Sequence, residues 1–397
     1  MQCINCFAKF YTSYLTLFCF SYLNEVKDLK VVFVGKEHMT TEHIWAPVAL
    51  KFQNDGWEVI YCTDGSTLGD IGFYCEDRSL PGNQRFTIIT INGLDQDHVA
   101  RPEYTQWFEN ENWGLFDLGL LPGQRWYTGW LTRKPSFLNT PTHGVINIGW
   151  FKGDFAAKNY ARPLHKKTIR SILYAPQTEQ DGKQRQVVDS IKKTNLNLII
   201  KHWEDDDYLP IFPWLLTPAY MENLASENQY AMQHENVTVV SPRENFMNVL
   251  KDVDLLITDQ SSVLYEAALL NIPSLTCVDW KHACGDCRGP QPSPEITDAI
   301  KSDDLPAYMQ NIEVIYPKLL DKVLHVKEFN FIHVGYATEV MYKQILNIHE
   351  LLYNSKSVTK LYKRRFAKMK AFRKAFKQRK RAMEKALHRK VKAVLKV

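Results

Sequence analysis

The sequence predicts an α/β protein built from two doubly wound, parallel-sheet domains. Three observations predict it. Short apolar runs rich in Val, Ile and Leu recur along the chain, apolar on both faces, as strands covered by helices on each side must be. Between them lie stretches with helical periodicity, so the chain alternates strand and helix. At 397 residues it is too long for one ordinary core, and 45% hydrophobic with 12% aromatic residues is ample to fill two.

The first domain is expected at 25–164. Its opening strand is LKVVFVGK (29–36), followed by a helical stretch near 44–54. GWEVIYCTDG (56–65) reads as a second strand closed by a turn, and RFTIITIN (85–92) as a third. WGLFDLGLLPGQRWYTGW (113–130) is Gly- and Trp-rich and less regular, and SFLNTPTHGVINIGW (136–150) closes the half.

The second domain is expected at 165–350. TIRSILYAPQ (168–177) is a strand entering a loop, 184–193 is helical, and LNLIIKHW (196–203) is a strand with a polar end. NVTVVSP (236–242) is a strand, ENFMNVLKDV (244–253) a helix and DLLITD (254–259) a strand. SVLYEAALLN (262–271) is a helix, IPSLTCVD (272–279) a strand, and helical periodicity returns near 345–353. No repeat of fixed period runs through the chain. Ligands of doubly wound sheets bind beyond the carboxyl ends of the strands, which puts His202, the 258–262 turn and Asp279 on one edge. Two such domains facing across a cleft make the GT-B architecture.

Charge is unevenly placed. Residues 356–397 hold eighteen Lys/Arg and one acid, so with a whole-chain net of +5 the remainder carries −12. In that tail, Tyr362, Phe366, Met369, Phe372, Phe376, Met383, Leu387, Val391 and Val394 recur at three- or four-residue spacing with one skipped turn, with cations on the other faces. This is a basic amphipathic helix suited to an anionic membrane surface. No nucleic-acid reading module accompanies it, which argues against a nucleic-acid partner. A solvated tail is the plainer reading. Residues 1–24 are apolar and aromatic, but the uncharged run is short for a span and holds Thr12, Ser13, Thr16 and Ser21. A helix packed on the body or a membrane surface is expected there, with a span or signal anchor as the alternative. Eight scattered cysteines are read as reduced thiols of a cytoplasmic protein at the inner face of the membrane.

The stretch TDQSS (258–262) carries the most chemistry. A strand ending in Thr258, Asp259, Ser261 and Ser262 delivers small hydroxyl side chains to a helix start, where free N–H groups attract phosphate. Glu266, four residues after Ser262, falls on the same helix face and suits ribose hydroxyls. An ordinary N-cap with a solvated glutamate fits the spacing equally well. His143, in the Pro-Thr-His-Gly loop, is a candidate base for an acceptor hydroxyl. His202, beside Lys201 at a strand end, is a candidate phosphate contact or acid, and Arg243 a further phosphate contact; structural histidines and a surface arginine are the bland readings. EDDDY (204–208) reads as a solvated loop. Cys284 and Cys287, near Cys277 and His282, lack a second Cys-x-x-Cys downstream, so no metal and no cofactor are expected.

DLLITDQSSVLYEAALLNIPSL (254–275) resembles the signature of the CDP-glycerol glycerophosphotransferase family, which builds teichoic-acid and capsule polymers. Gln260 stands where the family usually has Tyr, and Tyr265-Glu266 where it usually has Phe-Asp. THGVINIG (142–149), ILYAPQT (172–178) and IIKHW (199–203) resemble further family motifs in the right order, whereas the arginine common after the Ala-Pro-Thr motif is absent. The resemblance covers about 140–350. It implies a GT-B-like transferase that moves glycerol phosphate or ribitol phosphate from a CDP-activated alcohol to a hydroxyl of a cell-surface glycan or lipid-linked acceptor, releasing CMP. A glycosyltransferase using a nucleotide sugar shares the same local physics, and a non-catalytic protein acting through the tail is the reading of another class.

Overall fold

The structure, a computed structural model, describes residues 29–353 apart from 36–37, 76–79, 92, 95–111, 133–139, 164–167, 178, 180–181, 204–215, 260 and 281–296. The amino-terminal segment, the EDDDY loop, His282, Cys284, Cys287 and the basic tail lie outside these residues.

The first unit contains β1 (Lys30–Val34), α1 (His38–Asn54), β2 (Glu58–Cys62), β3 (Gly69–Tyr74), β4 (Gln84–Ile89), β5 (Leu118–Leu121), α2 (Gln124–Thr132) and β6 (Val145–Asn147). All strand pairs are parallel, in the order β2-β1-β3-β4-β5-β6. The central strands form because their side chains are apolar on both faces: Val31, Val32 and Phe33 are fully buried, as are Leu118, Leu120 and Leu121.

A short turn, Phe151–Gly153, and α3 (Asp154–Asn159) lead to the second unit. There β7 (Ser171–Tyr174), α4 (Lys183–Ile191), β8 (Asn197–Ile200), α5 (Pro218–Ala231), β9 (Val237–Val239) and α6 (Phe246–Val249) precede β10 (Leu255–Ile257), α7 (Val263–Leu269), β11 (Ser274–Cys277) and β12 (Asp298–Ile300). The order is β12-β11-β10-β7-β8-β9, again all parallel. Read from β9, this is the 3-2-1-4-5-6 order of a dinucleotide-binding type sheet. Three helices finish the described chain: α8 (Leu305–Gln310), α9 (Ile312–Asn330) and α10 (Ala337–Tyr353).

The strands expected from their apolar runs are present, and four others, β3, β5, β6 and β12, were not foreseen. β3 reads GDIGFY, where two glycines break the apolar run. Both serve close approach: a Cβ on Gly69 would stand 2.5 Å from Val32 Cγ2, and one on Gly72 2.8 Å from Gln84 Cγ. β12 is a half-buried edge strand reading DAI, without the apolar run that marks the central strands.

The span read from sequence as the end of the second domain contains α10, yet α10 packs on the first sheet. Met341, Tyr342 and Ile345 join Trp45 and Phe52 in one buried cluster. Its start is anchored by Asp154, whose carboxylate accepts from Ala337 N (3.0 Å) and Thr338 N (2.6 Å), two of the helix's otherwise unpaired donors. Among the described residues, no helix is long and apolar enough to cross a membrane.

Candidate active site

In each sheet the strand order reverses once, and the crevice beyond the strand ends at that point is where ligands of such folds bind. In the second sheet the reversal lies between β7 and β10, whose carboxyl ends continue into 175–177 and 258–262. The two loops are lashed together. Ala175 N donates to Ile257 O (3.0 Å), and Thr258 Oγ1 donates to Ala175 O (2.5 Å). Asp259 accepts from Gln177 N on one oxygen (2.7 Å) and from Lys183 Nζ on the other (3.2 Å). Thr258 Oγ1 and both Asp259 carboxylate oxygens are thus committed to buried protein partners, so these side chains frame the site, in contrast to the donor contact expected from sequence.

Ser261 and Ser262 stand at the mouth, half-buried. Ser262 occupies the N-cap position of α7 with no side-chain cap bond, and Ser261 Oγ accepts from Val263 N only at a long 3.5 Å. Because α7 has seven residues, its dipole is small, and hydroxyls with local N–H groups are the means left for holding an anion.

His202 follows β8 at the same edge but points inward. It is 3% exposed, and its Nε2 lies 2.6 Å from Gln184 Oε1. An amide oxygen only accepts, so Nε2 carries the proton. Burial, with a smaller push from the Lys201 charge, lowers its pKa to about 3. His202 is thus neutral and structural, which corrects its reading as an acid or phosphate-binding cation. Lys201 is also occupied, donating to Pro242 O (2.7 Å) and Ser241 O (3.3 Å), and so shapes the loop after β9. Arg243 in that loop is exposed on the same edge.

His143 requires a second correction. It precedes β6, in the loop where its N–H donates to Asp117 O (2.7 Å), and Asp117 in turn precedes β5. In a parallel sheet both residues lie at the amino ends of the strands, the edge opposite the crevice. The Gly neighbour has a local cause, since Gly144 takes a positive φ of 75° in that turn.

The histidine that does face the crevice was missed. In the first sheet the order reverses between β1 and β3, and α1 follows β1. His43, on α1, is half-buried. Its pKa is lowered first by burial, then by the charges of Lys152 and Lys201, against the opposing carboxylates of Glu42 and Glu244. Lys201 and Glu244 belong to the second unit, so His43 sits where the two carboxyl edges meet. The signal was in the sequence: His43 follows a strand, whereas His143 precedes one.

Glu266 is neither solvated nor remote. Helix α7 is buried from Leu264 to Leu269, and two side chains of the first unit reach its Glu266. Trp150 Nε1 (3.2 Å) and Lys152 Nζ (2.7 Å), both following β6, donate to Glu266 Oε1. Nearby, Trp126 of α2 packs edge-on against Tyr265 with centroids 5.2 Å apart. A Cβ on Gly93 would come within 3.3 Å of Ser262 Oγ. Among the described residues, no group of three or more His, Cys, Asp or Glu is arranged to hold a metal ion.

This geometry can be set beside known proteins. Residues 155–283 match the family model described as CDP-Glycerol:Poly(glycerophosphate) glycerophosphotransferase, a span that runs from α3 through β11 and takes in the 258–262 turn. No curated protein matches the sequence. Among solved structures, a variant of the wall teichoic acid polymerase TagF soaked with CDPG is similar over 89% of this chain and 100% of that one, with TM-score 0.52 and 14% identity. Another structure of a TagF variant covers 84% and 92%, with TM-score 0.53 and 14% identity. At such identity the likeness speaks for the two-sheet fold, while the family model speaks for the second unit. The chain thus carries, on a two-sheet fold similar to that of TagF, a segment that matches the glycerophosphotransferase family model.

Proposed function

We propose that this protein transfers glycerol phosphate or ribitol phosphate from a CDP-activated alcohol to a hydroxyl of a teichoic-acid-like polymer, and releases CMP. The observation that carries the reading is the family match over 155–283, which contains the loops at the second sheet's reversal point. The acceptor oxygen attacks the phosphorus that bears the alcohol, the bond from that phosphorus to the CMP oxygen breaks, and the acceptor's proton passes to a base.

In this reading His43 is the base, because it is the half-buried histidine at the meeting of the carboxyl edges and its surroundings favour the neutral ring. Ser261, Ser262 and Arg243 receive the donor phosphates, where hydroxyl and guanidinium donors stabilise the charge passing to the leaving CMP. Glu266 offers its second carboxylate oxygen to the ribose. The basic tail, 356–397, holds the enzyme peripherally at an anionic cytoplasmic membrane face, next to a lipid-linked acceptor.

The test is nucleotide release from purified protein given CDP-glycerol, CDP-ribitol or a panel of nucleotide sugars, each with a polymer primer. CMP from a CDP-alcohol, lost in His43→Ala, supports the reading. Release only from a sugar donor would make the protein a glycosyltransferase on the same fold. Silence with every donor would sink both.

A further inference from the structure

Glu266 belongs to the second unit, yet both hydrogen bonds to its carboxylate among the described residues come from the first and fall on one oxygen, Oε1. The Lys152 side chain is 14% exposed and that of Glu266 5%, so this charge-assisted bond is shielded from water and salt, unlike a surface ion pair. Two donors on Oε1, an indole and an ammonium, fix the plane of the carboxylate and turn Oε2 toward any further donor. The supporting backbone is equally constrained. Trp150 is 2% exposed, and a Cβ on Gly153 would stand 2.2 Å from Leu269 Cδ2, so the turn after β6 is pressed onto α7.

We propose that Lys152 is a positioning residue for donor recognition: with Trp150 it orients Glu266 from across the cleft, so that Oε2 accepts from the ribose hydroxyls of the bound nucleotide. This rests on the donor reading above. It makes nucleotide affinity depend on contact between the two units, a coupling that is reciprocal: the bound ribose also holds the first unit against the second. A lysine acting only as a domain fastener would affect every nucleotide alike. One acting through Glu266 affects only nucleotides that possess ribose hydroxyls.

The full-length chain would be titrated calorimetrically with CMP and with 2′,3′-dideoxy-CMP. The wild-type protein should prefer CMP by about tenfold or more, the worth of a hydrogen bond to a charged acceptor. Lys152→Met keeps the aliphatic stem and should lose most of that preference, with affinity for the dideoxy nucleotide held within about twofold, as expected when only this bond is removed. Lys152→Arg should restore the preference, and Glu266→Gln should behave like Lys152→Met. A Lys152→Met protein that keeps the full preference, or loses affinity for both ligands in parallel, would overturn the proposal. A wild-type chain that binds both equally would remove the ribose contact and leave the donor reading standing. One that binds neither would remove both.

Discussion

Lys183 Nζ lies 3.2 Å from Asp259 Oδ2, and each side chain is only 1% exposed. The pair joins α4 to the loop after β10, and through Gln177 N to the loop after β7. Two charges buried together are tolerable because each compensates the other; removal of one leaves the other stranded.

Lys183→Met and Asp259→Asn should therefore each lower unfolding free energy by about 3–5 kcal/mol. The double variant should cost clearly less than the two together. Urea unfolding of the four proteins measures this, and strict additivity would contradict it.

His43 should control turnover, and His143 should not. His43→Ala is expected to cut CMP release by roughly 10²–10⁴-fold, the usual worth of a general base. His143→Ala should leave it within about twofold, since that residue lies on the opposite edge of the sheet. The pH profile follows from the direction of the shift. Burial and two lysine charges hold His43 below its ordinary 6.5, so the base form persists as pH falls to that value. The acid limb of kcat/KM should then lie below pH 6.5, and a limb above it would argue for another base.

His202 should make stability sensitive to acid. Its folded pKa is about 3, against 6.5 unfolded. Between those values the unfolded chain binds a proton that the folded chain does not, so stability is fully present above 6.5 and is lost as pH falls toward 3. From pH 7 to 5 this group removes about 2 kcal/mol. His202→Gln should unfold more easily at neutral pH but lose correspondingly less between pH 7 and 5, as denaturant titrations at the two values would show.

Gly149 and Gly144 separate backbone strain from collision. Both take positive φ, 91° and 75°. A Cβ on Gly149 would stand 2.4 Å from Ile332 O and 3.0 Å from Ala337 Cβ, where the chain returns to the first unit; one on Gly144 meets nothing within 4 Å. Gly144→Ala should cost about 1 kcal/mol, from its conformation alone. Gly149→Ala should exceed about 3 kcal/mol, because the neighbouring backbone must also move. Thermal or urea unfolding distinguishes them, and equal costs would mean the crossover yields freely.

Most of the strands were legible because each had to be apolar on both faces, a demand that local sequence records directly. β3 was not, because Gly69 and Gly72 were selected for the closeness of Val32 and Gln84, neighbours invisible in the run GDIGFY. Strand β10 with its serine turn was legible at the carboxyl edge because strand direction alone puts it there. The same rule, applied to His143, would have ruled it out, since a residue before a parallel strand cannot share an edge with residues after one.

By itself, the sequence determined the alternation, the parallel sheets and the 258–262 turn, since hydrophobic pattern and strand direction are local properties. Only tertiary structure decided what each polar side chain does. Gln184 holds the His202 ring by a hydrogen bond from another element, Lys183 occupies Asp259 from 76 residues away, and Trp150 and Lys152 reach Glu266 across 116 and 114. Protonation state, burial and free lone pairs depend on which groups are brought within about 3 Å, and local sequence does not encode that distance.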